Sequence, residues 1–173
     1  PTFRPGIPLE ESGPGFAEWR AHLPADAWIL GAVATNQARK DLSLLFASAA
    51  ILKRSGASVG IWLHTDRLIN AWDIGSLALA FGFERKEVCI STAAVLLSDA
   101  QLGARYGASD VTLGVGLGEG YGYPLVESLA CGTPVIHVDF AGGAELIAHP
   151  AWRVAPAAWR LESVYAVKRP VLE

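Results

Sequence analysis

The sequence predicts an α/β protein with a mainly parallel sheet and helices on both faces of that sheet. Apolar runs of strand length alternate with segments of helical periodicity at least four times, which is the pattern of successive βα units. The apolar runs do not alternate with polar residues, as expected for strands that are covered on both faces. Hydrophobic residues make up 51% of the chain and charged residues 18%, a composition typical of a folded globular domain.

The chain divides into a lead-in segment and one domain. Residues 1–27 are rich in proline and glycine and are predicted to be the lead-in, with one short helix near Phe16–His22. Residues 28–173 are predicted to form the domain, since 173 residues are enough for one core and too few for two. The predicted strands are residues 28–34, 58–64, 87–91, 110–115 and 134–139. The predicted helices are residues 42–52, 74–81, 98–107, 124–131 and 144–148.

Local signals support these boundaries. The first long helix has apolar residues at helical spacing and a stop signal at Gly56, and the next helix is closed by Gly82. Ser98 and Gln101 have the spacing of a capping box at a helix start. Pro124 suits the first turn of the helix that follows the glycine-rich segment. The tail from residue 152 onward has no clear period, and no element is assigned to it.

Composition excludes several classes of function. The net charge is −3 and the basic residues form no long block, so no nucleic-acid partner is expected. No apolar run approaches the roughly 18 residues that a membrane span needs. Cys89 and Cys131 are too few for a metal cluster and are interpreted as small buried residues in a reducing compartment, which predicts a cytoplasmic protein. Because the chain begins at Pro1 and has no methionine, it is expected to be a piece of a longer protein.

Four loops that follow predicted strands carry unusual residues. They are residues 35–41, 64–67, 91–95 and 116–123. In a parallel sheet such loops share the carboxyl edge, where ligands bind. Lys40 and Arg39 lie in the first loop, where they could meet a diphosphate or simply be solvated at a helix start. Two cations at that end oppose the helix dipole by about 0.3–1 kcal/mol each, which favours a functional role.

The loop at residues 116–123 has glycine at every second position. Glycines let a backbone approach a ligand closely, and amides at a helix start favour anionic groups. The pattern is not a dinucleotide fingerprint, because the third glycine of G-x-G-x-x-G would fall on Glu119, Tyr121 or Tyr123. A nicotinamide or flavin cofactor is therefore disfavoured.

The segment GEGYGYPLVESLACGTPVI, residues 118–136, resembles the signature of the retaining glycosyltransferases of family four, in the GT-B superfamily. That signature has two glutamates separated by seven residues, with Gly-aromatic-Gly and Pro between them, and Glu119 and Glu127 have this spacing. The segments RKD, LHTD and ARYGASDV also fall in the order of that family's carboxyl-terminal half. The resemblance covers about residues 27–147 and implies a Rossmann-like domain that is one half of a GT-B fold.

The resemblance also implies a reaction and a set of site residues. The reaction is transfer of a sugar from a UDP- or GDP-sugar to an acceptor with retention of configuration, without a cofactor or a metal. Glu119 would position the donor sugar, Glu127 would accept hydrogen bonds from the ribose, and Lys40 would meet the diphosphate. The remaining candidate donor-binding residues are Gly120, Tyr121, Gly122, Tyr123, Arg39, Thr35 and His64. The acceptor-binding amino-terminal domain is expected to lie outside this chain, which alone should bind donor weakly and turn over little.

One departure from the family leaves catalysis open. Thr35 stands where the family usually has an arginine on the diphosphate, five residues before Lys40. Either Arg39 supplies that charge from another angle or the chemistry is weakened. The alternatives are therefore a catalytically silent nucleotide-sugar-binding module, or a GT-B enzyme of other chemistry such as an epimerase or a phosphorylase. Among single residues, His64 has two interpretations, a nucleotide contact or a capping role, whereas His137 is interpreted as a core histidine.

Overall fold

The computed structural model describes residues 15–162 and 167–171, with side chains up to residue 159. Its main sheet has six strands, all parallel, in the order β3-β2-β1-β4-β5-β6. This is the Rossmann-like order, and the predicted α/β fold class is confirmed. The strands are β1 (Trp28–Val33), β2 (Val59–Thr65), β3 (Val88–Thr92), β4 (Val111–Gly114), β5 (Val135–Val138) and β6 (Arg153–Val154). The helices are α1 (Phe16–His22), α2 (Ser43–Arg54), α3 (Ile74–Ala80), α4 (Asp99–Gly107), α5 (Tyr123–Ala130) and α6 (Ala141–Leu146).

Helix ends follow the signals read from the sequence. Gly56 and Gly82 follow α2 and α3 with positive φ values of 95° and 77°, which glycine adopts without steric cost. At the start of α4, Ser98 and Gln101 form both hydrogen bonds of a capping box. The last helix is displaced from its predicted position, because α6 begins at Ala141 and not at residue 144. The first turn of α6 contains two glycines, which have a low helix propensity, so the sequence did not indicate a helix start there.

Two apolar clusters cover the two faces of the sheet. Successive residues of a strand point to opposite faces, and Leu30 of β1 belongs to the cluster under α2 and α3, whereas Ile29 belongs to the cluster under α1 and α4. In the second cluster, the Trp62 ring contacts the Phe16 and Tyr106 rings edge-on, with centroids 6.3 and 5.5 Å apart. The helix predicted in the lead-in segment therefore packs directly on the sheet. The predicted boundary at residue 27 stays a prediction.

The tail contains strands that the sequence did not indicate. β6 pairs with β5 over two positions, and β7 (Ala158–Glu162) pairs with β8 (Val167–Val171) as an antiparallel hairpin. A strand of two residues is too short to show a hydrophobic period. Within the described residues, no helix has the length and apolar character that a bilayer crossing requires.

Candidate functional site

The order of the strands in the sheet reverses between β1 and β4, and the loops that follow these two strands lie side by side. The Asp41 amide donates to the Val115 carbonyl over 2.9 Å, and the Leu117 amide donates to the Arg39 carbonyl over 3.0 Å. Lys40 pairs with Gly116 in an isolated antiparallel bridge between these hydrogen bonds. In open α/β sheets ligands bind at this topological switch point, outside the carboxyl ends of the strands. The backbone thus places Lys40 against the glycine loop, residues 116–122.

The Lys40 ammonium forms an ion pair with the Glu119 carboxylate. Lys40 is only 6% exposed and the Glu119 side chain 14%, so the pair is largely shielded from water. A Cβ atom at position 116 would overlap the Glu119 carboxylate. Gly116 is thus required for Glu119 to lie over its own loop and reach Lys40. The interpretation of Lys40 as a solvated residue at a helix start is wrong, because its side chain is buried.

Opposing effects act on the charge of Lys40. Burial, and secondarily the neighbouring Arg39 guanidinium, lower the pKa of Lys40 to about 8. The Glu119 carboxylate in contact with it favours the charged ammonium. A second anion that reached the ammonium would act in the same direction as Glu119. The site therefore contains a shielded cation whose charge depends on its anionic neighbours.

Arg39 fastens the glycine loop. Its Nη1 donates to the Gly118 carbonyl over 3.1 Å and lies 3.7 Å from Glu119 Oε2. Its side chain is 42% exposed, so the guanidinium keeps a face toward solvent. Arg39 and Lys40 thus bring two positive charges to the same carboxylate. Thr35, at the start of this loop, is exposed and contributes its carbonyl to the turn, accepting from the Gln37 amide over 2.9 Å.

Two residues that the sequence analysis did not single out hold the Lys40 backbone in place. The Asn36 side chain is fully buried, donates to the Trp72 carbonyl over 2.8 Å and accepts from the Trp72 amide over 2.9 Å. The Trp72 indole in turn donates to the Lys40 carbonyl over 2.8 Å. The Asp66 carboxylate accepts from the Asn36 amide over 2.6 Å, and this bond is the main cause that lowers the pKa of Asp66. The available signal was an asparagine in the loop that follows a buried strand.

The glycine loop leads into α5 with an open outer surface. Gly122 caps the helix in a left-handed conformation, with φ 85°, and Pro124 lies in the first turn. A Cβ atom at Gly118 or Gly120 would meet no atom within 4 Å. A ligand can therefore approach this backbone closely.

Two features border that open surface. Tyr121 and Tyr123 are exposed, with ring centroids 5.0 Å apart. On another side, the Gly142 amide of α6 donates to the Glu119 carbonyl over 3.3 Å. The start of α6 thus packs directly against the loop that carries Glu119.

Glu127 lies in the second turn of α5, half-buried, and has a specific partner. The Tyr106 hydroxyl donates to Glu127 Oε2 over 2.9 Å. Tyr106 is 1% exposed, and burial, with Glu127 as the next cause, raises the pKa of its hydroxyl above the usual value. The hydroxyl therefore stays protonated and acts as a donor. Tyr106 lies in the segment ARYGASDV that carries part of the resemblance, but that segment does not indicate its contact with a glutamate on another helix.

His64 is the next-to-last residue of β2 and belongs to a separate polar group. Its Nδ1 lies 2.9 Å from the Ser91 hydroxyl, which also accepts a hydrogen bond from Arg105 Nη1 over 2.6 Å. Burial and then the Arg105 charge lower the pKa of His64, so its ring is neutral at pH 7. His137 is 1% exposed, and its Nδ1 donates to the Gly114 carbonyl over 2.7 Å, as expected of a core histidine.

The structure therefore brings Lys40, Arg39 and Glu119 into contact and places Glu127 with Tyr106 and His64 with Ser91. Little space remains at the ion pair, where the enclosed volume is about 10 Å³. A groove of about 720 Å³ lies elsewhere, along the edge strand β3 between α1 and α3, and no candidate site residue lines it. Among the residues described, no group of three or more His, Cys, Asp or Glu side chains is placed to hold a metal ion.

Solved structures show which fold this is. The chain is similar to the carboxyl-terminal domain of a glycosyl transferase group 1 family protein, LpcC, from Francisella tularensis, with a TM-score of 0.64 and 18% identity. The match covers 90% of this chain and 78% of that one. This is the fold of the carboxyl-terminal half of a GT-B glycosyltransferase.

Larger proteins contain a domain of the same fold. Sucrose-phosphate synthase from Thermosynechococcus elongatus matches with a TM-score of 0.58 and 25% identity, over 81% of this chain and 35% of that one. A structure described as trehalose-6-phosphate from E. coli bound with UDP-2-fluoro glucose matches with a TM-score of 0.56 and 17% identity, over 86% and 40%. The chain thus spans well under half of these two proteins. No family model matches the sequence, and no curated protein does.

Proposed function

We propose that this chain is the donor-binding domain of a retaining glycosyltransferase, which moves a sugar from a nucleotide diphosphate sugar to an acceptor. The observation that carries the proposal is the shielded Lys40–Glu119 pair at the switch point of a GT-B half. A buried cation and a buried carboxylate side by side can serve the two polar parts of such a donor, the diphosphate and the sugar hydroxyls. The family signature that contains Glu119 supports the same assignment.

The diphosphate is the part of the donor that Lys40 would bind. Its ammonium is shielded from solvent, and an ion pair formed in such a site is weakened little by water. Arg39 adds a second positive charge next to it, and the start of α5 offers backbone amides. As the sugar leaves, negative charge develops on the diphosphate, and these fixed cations stabilise it. In this proposal they supply the charge that a metal ion supplies in other diphosphate sites.

Glu119 would act on the donor sugar. In the structure the Glu119 carboxylate is paired with the Lys40 ammonium. In this proposal an incoming diphosphate replaces the carboxylate at the ammonium, and the carboxylate is then free to bind the sugar hydroxyls. A carboxylate accepts two hydroxyl donors of a diol at once, each bond contributing roughly 1.5–3 kcal/mol. Glu127 would accept the ribose hydroxyls in the same way from α5. In the proposed retaining route, the diphosphate leaves from the face that the acceptor attacks and helps to deprotonate the acceptor hydroxyl.

The proposal names the nucleotide base of the donor and the acceptor only by class. UDP- and GDP-sugars are the proposed donors, and one of the similar proteins is described as bound with UDP-2-fluoro glucose. The acceptor is proposed to bind a further, amino-terminal domain, as in the larger proteins that contain this half. A thermal-shift panel of UDP-, GDP- and ADP-sugars on this chain tests the donor class. Stabilisation by none of these sugars would refute the proposal.

A second candidate is a catalytically silent nucleotide-sugar-binding module. The observation that favours it is Thr35, an exposed hydroxyl residue where the family has an arginine. The full-length protein separates the two candidates. Formation of a glycosylated product supports the enzyme, whereas donor binding without donor hydrolysis or transfer supports the silent module.

A further inference from the structure

Among the proposed ligand-binding side chains, Glu127 is held by a buried group that takes no part in binding. The Tyr106 hydroxyl donates to Glu127 Oε2 over 2.9 Å, and the tyrosine ring is enclosed by the cluster under α1 and α4. We infer that Tyr106 is a positioning residue, which fixes the Glu127 carboxylate in the orientation that accepts the two ribose hydroxyls of the donor nucleotide. This inference rests on the proposed function, in which Glu127 binds the ribose.

The Tyr106 hydroxyl is held rigidly because both the ring and the backbone of this residue are fixed. Its ring lies edge-on against Trp62, with centroids 5.5 Å apart and an angle of 76° between the planes. Its backbone carbonyl accepts hydrogen bonds from the Thr133 hydroxyl over 2.6 Å and from the Ser109 amide over 2.9 Å. The hydroxyl that reaches Glu127 is therefore set by the core of the domain.

Geometry leaves Glu127 able to bind a ligand while it is held. A carboxylate has two oxygens with about four acceptor positions, and Tyr106 occupies one of them on Oε2. The other positions remain for the two hydroxyls of a ribose. A free glutamate side chain loses rotamer entropy when a ligand fixes it. An anchor that is already formed removes part of that cost, which is the effect of pre-organisation on affinity.

The protonation state of Tyr106 suits this role. Burial and the Glu127 charge both disfavour the phenolate, so the hydroxyl donates throughout the pH range of a binding assay. Because the Tyr106 hydroxyl always donates, Glu127 Oε2 stays bound to it as an acceptor. The orientation of the carboxylate toward the ribose is therefore the same throughout this pH range. The ring of Tyr106 supports the fold, and its hydroxyl is the group assigned to positioning. The two contributions can be separated by removing the hydroxyl alone.

The test removes that hydroxyl with Tyr106→Phe in the 173-residue chain. The probes are UDP, or GDP if the thermal-shift panel selects it, the corresponding 2′-deoxynucleotide, and inorganic pyrophosphate, which has no ribose. Calorimetry should show UDP affinity reduced about 5- to 20-fold, because the ligand must then fix the Glu127 rotamer that the tyrosine hydroxyl had held in place. Pyrophosphate affinity should be unchanged, and the preference for UDP over 2′-deoxy-UDP should shrink. In a Glu127→Ala background, Tyr106→Phe should have no further effect on UDP.

A matched control and three contrary outcomes make the test specific. Thr112→Val removes another buried hydroxyl, which accepts from the Ser128 hydroxyl and lies outside the Tyr106–Glu127 hydrogen bond, so it should leave the 2′-deoxy preference intact. If Tyr106→Phe weakens UDP and pyrophosphate alike, or acts equally in the Glu127→Ala background, Tyr106 is merely structural. If Glu127→Ala weakens UDP while Tyr106→Phe does not, the inference fails and the proposed function stands. If Glu127→Ala binds UDP as tightly as the wild type, the ribose assignment fails as well.

A measurement on the unmodified tyrosine covers the case in which Tyr106→Phe does not fold. A buried hydroxyl proton bonded to a carboxylate exchanges slowly and gives a resolved downfield NMR signal. That signal should be present in the wild type and absent in Glu127→Ala. An identical signal in both proteins would overturn the inference.

Discussion

The Lys40 ammonium meets the Glu119 carboxylate although the two residues are 79 positions apart in the chain. Their loops follow β1 and β4, neighbouring strands whose carboxyl ends share one edge of the sheet. The contact is shielded from water, so it is a stronger interaction than an exposed ion pair, for which a contribution of 0–1 kcal/mol is typical. It also couples the residue proposed for the diphosphate to the residue proposed for the sugar.

Replacement of Lys40 tests the diphosphate assignment. Lys40→Ala should weaken UDP or GDP binding by roughly 10- to 150-fold, the value of a charge-assisted hydrogen bond, and should weaken the free nucleoside far less. Calorimetry with the nucleoside diphosphate and with uridine or guanosine gives both values. Equal losses for the two ligands would show that Lys40 does not meet the diphosphate.

Binding should also depend on pH in a defined direction. Burial and Arg39 lower the pKa of Lys40 to about 8, and only the ammonium attracts the diphosphate. Relative to Lys40→Arg, the affinity for UDP should be constant below pH 7 and fall as pH rises through about 8, by at most about tenfold one unit above the pKa. Lys40→Arg is the control, because its guanidinium stays charged and the ionisation of the ligand affects both proteins equally. A fall of the same size in Lys40→Arg would contradict the assignment.

The glycines near the site differ in what they permit. A Cβ atom at Gly142 would overlap the backbone carbonyl of Gly120, whereas a Cβ atom at Gly118 would enter open space. Gly142→Ala should therefore destabilise the domain by about 1–3 kcal/mol, although alanine is the better helix former. That corresponds to a fall in Tm of roughly 2–12 °C, and Gly118→Ala should change Tm by less than about 2 °C. Thermal melts of the two variants measure both, and equal values would contradict the close approach of α6 to the glycine loop.

Much of this architecture could be predicted because its signals are local. Apolar runs of strand length located five of the six strands in the main sheet, and the alternation of strand and helix placed Lys40 and Glu119 at one edge. β6 escaped because two paired residues show no period, and the hairpin of β7 and β8 has no regular pattern of polar and apolar residues. Contacts such as Tyr106 to Glu127 could not be predicted. Such a bond depends on the rotamers of two side chains on different helices, and residue type alone does not specify them.

The two glutamates should separate in their effects on binding. Glu127 is proposed to accept both ribose hydroxyls, so Glu127→Ala should weaken nucleotide and nucleotide sugar alike, by roughly 2–3 kcal/mol or about 30- to 150-fold. Glu119 is proposed to act on the sugar, so Glu119→Ala should leave UDP or GDP binding nearly intact. Its effect should appear in the affinity for the sugar nucleotide and in turnover by the full-length protein, because positioning matters most in the transition state.

The measurement is calorimetry on each variant with the nucleotide and the matching sugar nucleotide. Thermal melts serve as the folding control, and both variants are expected to stay folded. Glu127 is half-buried and the Glu119 side chain is 14% exposed, so neither carboxylate lies in the apolar core. If Glu119→Ala abolishes binding of the bare nucleotide while Glu127→Ala does not, the two roles are reversed. That result would also mean that the Lys40–Glu119 pair holds the diphosphate site in shape, since Glu119 would then act through the ammonium it contacts.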